Sequence, residues 1–424
     1  MLHHFTIRHG YRVELAGQPL QKIGDAPTVR GAAILGRDLG GIRANLSVAP
    51  GDKVRAGQPL FTDRARPAIT HVSPVSGTVE GIDHGPRRSL SALRLTIDPD
   101  ADGHDQIAAP GDTGEALRET LLARGLWPSF RARPFGHVPD PDAVPAAIFV
   151  TAMDTQPLAP DPAVVLEPLS DAFQTGVAAL TRLTNGPVYV CQAPGPELAP
   201  NITGAQTAVF EGGHPAGLAG THIHRLRPAT PDHPVWTIGY QDVAAIGTLL
   251  STGVYPTERV VSLAGSRVAN PRLVRTVPGA RLRDLAEGQL LPSPEGMGAR
   301  LIAGSAISGH EAAYLGRYCV QVTALDAPAE NPARGVLGWL LRARGAAARL
   351  PIIPMDSMEH ALPFAIPAVP LLRALASGDA DAARRLGALE LVEEDVALLS
   401  ALCLSRSDYG ALLRRVLDIL AEPA

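Results

Sequence analysis

Lysine is nearly absent from the chain, which has only Lys22 and Lys53 among its 424 residues. Cysteine is also scarce, since Cys191, Cys319 and Cys403 lie far apart and lack the spacing of metal sites or disulfide frameworks. Aromatic residues make up 4% of the sequence, whereas 42 glycines and 39 prolines predict many turns and close backbone contacts. The scattered cysteines and the lack of a signal peptide predict a protein of the reducing cytoplasm.

Long apolar runs are missing too. The chain has no stretch of about 18 uncharged apolar residues, and the best candidate, 362–372, is interrupted by Pro363, Pro367 and Pro370. The net charge of −4 is spread along the chain and forms no basic stripe of the kind that binds nucleic acid. The sequence therefore predicts a globular protein without a membrane span, divided into a few domains of about 100–200 residues each. Any attachment to a membrane is expected to come through partners.

Residues 48–83 resemble a biotinyl- or lipoyl-type carrier domain. The turn 51–54 (GDKV) and the segment 74–79 (PVSGTV) match the two halves of such a domain. The hairpin between them, 62–65, has Arg64 where a carrier needs the lysine that accepts its acyl group. Because a guanidinium stays protonated at physiological pH, it cannot take over that reaction. This unit is therefore predicted to be structural or to make contacts.

Hydrophobic periodicity predicts an α/β protein of several domains. Alternating runs predict strands at 5–7, 12–15, 91–97, 146–150, 187–190, 235–238 and 259–263. Helical spacing is found at 116–126, 161–184, 241–250, 379–389, 393–404 and 409–420. Alternation of strands and helices in the middle of the chain is typical of a parallel sheet. The stretch 270–288 predicts two strands, a Pro-Gly turn and a short helix, which suit a β-grasp unit.

These patterns divide the chain into four predicted domains. Residues 1–105 contain N-terminal strands and the carrier-like barrel-sandwich β domain without its acceptor lysine, and residues 106–268 form a Rossmann-like parallel α/β domain. Residues 269–328 are predicted to be the small β-grasp domain, of a type that binds ligands, and residues 329–424 the C-terminal helical domain.

Several long strings follow one another in a fixed order. They are GLWPSFRARPF (125–135), AIFVTAMDTQPLA (147–159), EGGHPAGLAGTHIH (211–224), YQDVAAIG (240–247), RVVSLAG (259–265), NPRLVRTVPGA (270–280), AYLGRY (313–318), GALELVEEDVAL and YGALLRRVLD. Together they resemble the peripheral A-subunit of the sodium-translocating NADH:quinone oxidoreductases. The resemblance covers nearly the whole chain.

The resemblance implies a function within a membrane complex. Such a complex is a translocase that couples NADH oxidation and ubiquinone reduction to sodium export. The resemblance places flavins and an iron–sulfur centre in partner subunits and implies that this subunit binds no redox cofactor and is not catalytic alone. It also implies a position on the cytoplasmic side of the inner membrane, contacts with membrane and flavoprotein subunits, and a link to ubiquinone binding.

One departure from the family keeps a second function open. Between Trp339 and Pro351 the family usually has a longer segment, whereas this chain has only 340–350. The alternative is a stand-alone small-molecule-binding protein built on the same scaffold and no longer part of a pump. The shorter segment keeps that alternative open, because it puts in question any contact that the family makes through this part of the chain.

A flavin-dependent NADH dehydrogenase is a weaker alternative. Related FMN-binding subunits have a glycine-rich phosphate loop where this chain has Trp127 and Pro128, and an acidic run where it has Asp154 alone. A [4Fe–4S] cluster needs four cysteines, but the C-terminal helices contain only Cys403. The residues that carry electrons in those relatives are therefore missing.

The glycine-rich segment 211–224 contains the candidate binding residues His214, Gly217, Gly220, His222 and His224. A His-x-His pair can place two imidazoles on one face of a strand, and a third could complete a zinc site. No carboxylate or cysteine lies at ligand spacing, so we predict no metal site. The imidazoles could instead donate hydrogen bonds to a quinone headgroup, but packing in a glycine-rich turn is the favoured interpretation.

Arg131 and Arg133 are the remaining candidates. Their guanidinium groups could meet a phosphate or an anionic partner surface. A solvated loop held by Phe130 and Phe135 is slightly favoured over that role. The segment 240–242 is predicted to begin a helix, with Asp242 near the positive end of its dipole. No residue is predicted to be catalytic.

Overall fold

The structure is a computed structural model that describes residues 2–8, 10–25, 27–101, 111–292, 298–326, 351–362, 364–405 and 407–422. The shortened segment 340–350 lies outside these ranges, as does the adjoining start of the predicted C-terminal domain.

The strands form four sheets. They are β1 His3–Ile7, β2 Leu20–Gly24, β3 Gly31–Leu35, β4 Ala44–Leu46, β5 Lys53–Val54, β6 Pro59–Asp63, β7 Thr70–Val72, β8 Gly77–His84, β9 Leu90–Ile97, β10 Arg131–Arg133, β11 Ile148–Ala152, β12 Val188–Gln192, β13 Ala205–Gly212, β14 Val235–Gly239, β15 Arg259–Ala264, β16 Arg272–Thr276, β17 Ala299–Ala303, β18 His310–Glu311 and β19 Gln321–Asp326. The sheet orders are β1-β13-β12-β11-β14-β10, β18-β17-β19-β15-β16-β2, β3-β9-β8-β5 and β4-β6-β7.

Helices cover the sheets and form the C-terminal unit. They are α1 Gly114–Ala123, α2 Pro162–Leu166, α3 Ser170–Leu180, α4 Ala219–Leu226, α5 Tyr240–Thr252, α6 Leu282–Ala286, α7 Asp356–Glu359, α8 Ala368–Ser377, α9 Ala380–Arg385, α10 Ala397–Leu402 and α11 Tyr409–Ala421. None of the helices in the described ranges has the length and apolarity needed to cross a bilayer.

The first sheet is the parallel α/β sheet predicted from the sequence. Strands β1, β13, β12, β11 and β14 run parallel, and only β10 is antiparallel to its neighbour β14. Helices α3 and α5 pack so closely that a Cβ on Gly176 would lie 2.1 Å from the carbonyl oxygen of Val243. The buried core between helices and sheet includes Trp127, Phe130 and Trp236. Local periodicity therefore predicted β11, β12 and β14 of this sheet, but not β13 or β10.

The N-terminal strands lie outside the carrier-like unit with which the sequence grouped them. Strand β1 extends the α/β sheet beside β13, where Phe5 stacks on Phe210 with 5.0 Å between ring centroids. Strand β2 pairs with β16 in the mixed sheet. The predicted strand at 12–15 is wrong, since those residues are not in a ladder. Alternation indicates that a segment is extended, but not which sheet completes its hydrogen bonds.

The carrier-like unit is a sandwich of the two smaller sheets. Its core includes Leu60, Phe61, Leu93 and Leu95, all fully buried. Arg64 is exposed in the turn after β6.

The sandwich is anchored to the α/β unit by the same turn. Arg66 donates hydrogen bonds to Asp63 at 3.0 Å and to the carbonyl oxygen of Val138 at 2.7 Å. The hairpin that would carry an acyl group in a carrier is therefore fixed against its neighbour.

The mixed sheet contains one strand before the Pro-Gly turn instead of the predicted two. Strand β16 is followed by Gly279, whose φ is 75° and whose Cβ, if present, would lie 2.2 Å from the carbonyl oxygen of Ala33. After the turn, Ala280 and Arg281 form only isolated bridges, to Ala32 and Tyr314, and α6 begins at Leu282.

The C-terminal helices pack around Leu371, Leu372, Tyr409, Leu413 and Leu417. The predicted helix at 409–420 is confirmed by α11. The two predicted before it are shorter, namely α9 and α10, and α8 begins within the stretch 350–370 that was predicted to be broken by prolines. A proline in the sequence of α8 suggested a break, but it lies in the first turn, where a missing N–H costs little.

Substitution of Gly77 should destabilise the sandwich. A Cβ at this position in β8 would lie 2.0 Å from the carbonyl oxygen of Thr96 across the ladder. Gly77→Val is therefore expected to lower the free energy of unfolding by about 2–3 kcal/mol. Arg64→Ala, at an exposed position of the same unit, is the control and should change it by less than about 0.5 kcal/mol. Equal losses in chemical denaturation would contradict this assignment.

Candidate functional site

The carboxyl ends of three parallel strands bring most of the predicted site residues to one edge of the α/β sheet. Strand β11 comes first in the chain among the four central strands, with β12 on one side and β14 on the other. Open α/β sheets usually bind their ligands where the strand order reverses in this way. Asp154 follows β11, His214 follows β13 and Asp242 follows β14.

His214 joins three segments at this edge. Its backbone pairs with that of Tyr11, with N···O distances of 2.7 and 2.9 Å. Its Nδ1 lies 3.3 Å from Oγ1 of Thr155, which also accepts a hydrogen bond from the N–H of Gly217 at 3.0 Å. Burial lowers the pKa of His214 to about 4, so the ring is neutral near pH 7. In the neutral tautomer with its proton on Nε2, Nδ1 accepts a hydrogen bond from the threonine hydroxyl, and in the other tautomer Nδ1 donates to it.

His222 and His224 lie on a helix rather than on the strand that was considered for the pair. Residues two apart on α4 point about 200° apart around its axis. His222 faces the core, where its Nε2 is 2.9 Å from the carbonyl oxygen of Ala216 and its ring contacts Phe210. His224 faces the other way, and its Nδ1 lies 2.7 Å from Oε2 of Glu390. The pair therefore shares no face and no ligand.

His222 is the more deeply buried of the two. Its side chain is fully buried, and burial lowers its pKa to about 4. Its Nε2 donates to Ala216, so Nδ1 is the unprotonated nitrogen and has no hydrogen-bond partner in the described part of the chain. Across the described ranges, no set of three or more His, Cys, Asp or Glu side chains is arranged to hold a metal ion.

Gly217 and Gly220 allow other groups to approach the segment closely. A Cβ on Gly217 would lie 2.6 Å from the backbone nitrogen of Thr155. A Cβ on Gly220 would lie 2.3 Å from Oδ1 of Asp395. These glycines therefore let α4 pack against the end of β11 on one side and against the C-terminal unit on the other.

Arg133 is buried, which corrects the prediction of a solvated loop. Its side chain is only 4% exposed, and its guanidinium lies 3.0 Å from Glu394 and 3.0 Å from Asp395. Asp395 is 1% exposed and also accepts a hydrogen bond from the backbone of Val392 at 2.8 Å. The anionic surface that this arginine meets belongs to the same chain.

Arg131 lies on the same strand, β10, and is partly exposed. Its guanidinium carbon lies 4.8 Å from the centre of the Tyr318 ring, a cation–π contact. Its Nε donates to the carbonyl oxygen of Gly136 at 2.5 Å. Both arginines therefore have intramolecular partners.

Asp154 is a carboxyl at this edge with a strongly changed acidity. Its pKa is raised to about 7, mainly by burial and to a smaller extent by the nearby charge of Glu394, against the opposing effect of the hydrogen bond from the N–H of Gln156. Asp154 can therefore exchange a proton near neutral pH. His214 and His222 are neutral near pH 7, because burial lowers both of their pKa values to about 4. The edge therefore combines one carboxyl that can exchange a proton near that pH with two neutral imidazoles.

Aromatic side chains fill the core around Trp127. Trp127 is fully buried, and its indole centroid lies 5.5 Å from the ring of Phe130 and 5.2 Å from that of Trp236. Its Nε1 donates to the carbonyl oxygen of Pro139 at 2.9 Å. The segment that begins at Trp127 is therefore a packed part of the α/β core.

The acidic partners of this edge were not identified from the sequence. Glu390, Glu394 and Asp395 belong to the string GALELVEEDVAL, but nothing local pairs them with partners that lie 166 to 262 residues earlier in the chain. The acidic and apolar residues of this string alternate as they do in a helix with one face exposed to solvent. The sequence alone therefore indicates no buried partner for them. Only the fold shows that these residues face Arg133 and His224.

Comparisons with known proteins agree over nearly the whole chain. Residues 5–98 match the family profile "NqrA N-terminal barrel-sandwich hybrid domain", residues 112–255 match "NqrA second alpha/beta domain", and residues 260–313 match "NQRA C-terminal domain". These matches agree with the barrel sandwich and the α/β sheet described above.

Three relatives that match this chain over nearly their full length have the same name. The chain is 41% identical to the A-subunit of the Na(+)-translocating NADH-quinone reductase of Shewanella frigidimarina, covering 98% of this chain and 99% of that protein. It is 39% identical to the protein of that name from Pasteurella multocida, covering 97% and 98%, and 40% identical to that from Rhodopirellula baltica, covering 98% and 97%.

The buried imidazole of His222 should make stability depend on pH. Its pKa is about 4 in the folded protein and 6.5 ordinarily, so between these values the unfolded chain binds a proton that the folded chain does not. Stability is then full above pH 6.5 and falls as the pH falls towards 4. His222→Gln cannot take up this proton, so its unfolding free energy should depend on pH less steeply, by about one proton.

The comparison isolates His222 because other titrating groups are common to both proteins. Asp154 acts with the opposite sign, since its raised pKa favours the folded state at low pH. His84→Gln, at the exposed end of β8, is the control and should retain the steeper dependence. Identical slopes for His222→Gln and the parent protein in denaturation between pH 4 and 6.5 would contradict the account.

Proposed function

Because the chain belongs to the A-subunit family of the Na+-translocating NADH-quinone reductases, we propose that it is the peripheral subunit of such a complex. The complex couples NADH oxidation and ubiquinone reduction to sodium export, and this subunit lies on the cytoplasmic side of the inner membrane. The observation that carries the proposal is 39–41% identity to proteins of that name over nearly the whole chain.

The subunit contributes assembly and positioning rather than electron transfer. Buried Trp127 and Pro128 support this, because they fill the space that a phosphate loop would need. The exposed Arg64 supports it too, since it stands in the hairpin where a carrier has its acylated lysine. Flavins and the iron–sulfur centre then belong to partner subunits.

The proposed domains are 1–105, 106–268, 269–328 and 329–424. We assign the α/β sheet with its order reversal as Rossmann-like, and the mixed sheet with α6 as a β-grasp unit. Strand β1 belongs to the Rossmann-like unit because it pairs with β13, and strand β2 belongs to the β-grasp unit because it pairs with β16.

Purification from native membranes tests assembly. We expect the tagged chain to elute with flavin-containing membrane subunits in a constant ratio, and the separated chain to be colourless. A chain that elutes alone from solubilised membranes would support the stand-alone binding protein instead. A yellow isolated chain with stoichiometric flavin would contradict the non-redox role.

Binding of a quinone headgroup is the second candidate function of the carboxyl edge. One observation favours it: Nε2 of His214 has no hydrogen bond to another described residue, so in the neutral tautomer that carries its proton on Nε2 this nitrogen is available as a donor. A quinone carbonyl oxygen requires such a donor. His222 cannot serve, because its only proton is donated to Ala216.

Packing remains the favoured role of this segment. His214→Ala should then lower the melting temperature and leave the ubiquinone affinity of the folded assembled complex unchanged. Loss of a headgroup hydrogen bond would instead weaken binding roughly three- to tenfold at an unchanged melting temperature. Both quantities are measured on one preparation, with His222→Ala as the matched variant that cannot lose a headgroup bond.

A further inference from the structure

A cleft of about 390 Å³ opens beside the hairpin of the barrel sandwich and belongs to no site described so far. It is lined by Ile42, Arg43, Asp63, Arg64, Ala65 and Arg66. The cleft is rigid at its base, because Asp63 is buried and Arg66 holds it at 3.0 Å while bonding to the neighbouring unit.

Two of the three arginines in the cleft keep their charges uncompensated. Arg66 is paired with Asp63, whereas Arg43 and Arg64 are exposed and form no ion pair with any residue in the described ranges. Their backbones are joined by a hydrogen bond from the N–H of Arg64 to the carbonyl oxygen of Arg43, at 2.8 Å. Two positive groups on adjacent strands repel each other unless an anion lies between them.

A strand edge adjoins this cleft. Strand β4 is the outer strand of its sheet, and the register pairs Ala44 with Asp63 and Leu46 with Phe61. The carbonyl oxygen of Arg43 accepts from the N–H of Arg64, and the N–H of Ser47 donates to the carbonyl oxygen of Leu60, so the odd-numbered residues face β6. On the outer side, the carbonyl oxygen of Ile42 accepts a hydrogen bond from the N–H of Leu90 at 2.9 Å, which ends the open edge just before Ala44. In an antiparallel pair the alternate residues point away, so the N–H and C=O groups of Ala44 and Leu46 face outward.

We propose that β4 is a docking edge for an extended, acidic segment of a partner subunit. The segment adds to the sheet as a further strand, bonds to the backbone of Ala44 and Leu46, and places carboxylates on Arg43 and Arg64. The Leu46 side chain, 40% exposed, lies on the opposite face of the strand from Arg43 and provides an apolar contact for the alternate residues of the segment. This inference rests on the proposed function only in naming the partner as another subunit of the complex.

A peptide fits these features better than a lipid headgroup does. Strand addition uses main-chain hydrogen bonds along an edge, with side-chain pockets giving specificity. A phosphate headgroup would use the guanidinium groups but leave the outward backbone groups of β4 unpaired. Charged residues also protect strand edges against self-association, and the test separates that role from docking.

The test is calorimetric titration of the full chain with a peptide of alternating valine and glutamate. We expect binding, and no binding of the matched peptide of alternating valine and lysine. The double change Arg43→Glu with Arg64→Glu should weaken binding by roughly tenfold or more. Arg55→Glu, at an exposed position of the same unit outside the cleft, should leave the affinity unchanged.

A proline variant tests the strand edge independently of charge. Ala44→Pro removes an outward N–H without removing a bond to β6, so it should abolish peptide binding at an unchanged melting temperature. Asn45→Pro, whose N–H faces β6, should instead lower the melting temperature. Unaltered peptide affinity in Ala44→Pro, or no binding by the parent chain, would overturn the proposal. Binding of phosphatidylglycerol vesicles in place of the peptide, lost in the arginine double variant, would overturn it in favour of lipid.

Co-purification distinguishes failure of this inference from failure of the proposed function. If the parent chain and the double variant both elute with flavin-containing subunits in full yield, the docking edge is refuted while the subunit role stands. If the parent chain elutes alone, the subunit role fails, and the peptide titration still decides whether β4 is a docking edge.

Discussion

The buried ion pairs of Arg133 fix the arrangement of the C-terminal helices on the α/β sheet. A guanidinium that is 4% exposed needs charged partners, and Glu394 and Asp395 supply them from a unit that follows much later in the chain. Breaking a buried pair by removing one partner typically costs about 3–5 kcal/mol. Gly220 leaves the space that Asp395 requires, so the glycine-rich segment, the arginine and the helices are packed together.

This constraint explains why the edge of the sheet looks like a ligand site yet is largely filled by its own chain. The imidazoles, Thr155 and the glycines meet where related folds bind cofactors, but they bond to one another and to the C-terminal unit. Trp127 is likewise buried among aromatic side chains, and Arg64 is exposed in a turn whose neighbour Arg66 bonds to the α/β unit. The structure therefore uses these segments for packing and for contacts between its own units.

Sequence periodicity predicted the strands and helices whose pattern and composition indicate the same type of element. Strands such as β11 and β14 and helices such as α5 and α11 were expected close to their observed bounds, because period and composition agree there. Helix α4 was missed because glycines and histidines favour a turn in isolation, and only packing against β11 and the C-terminal unit makes it helical. The partners of Arg133 and the sheets of β1 and β2 depend on contacts distant in sequence.

The most direct measurement of the subunit's role is sodium-dependent NADH:quinone reduction in membranes of cells that lack this chain. The account predicts that this activity is lost while the flavins of the partner subunits remain. Addition of the purified, colourless chain should restore it, whereas the Arg133→Met variant should restore it poorly. Undiminished sodium-dependent activity without the chain would contradict the account.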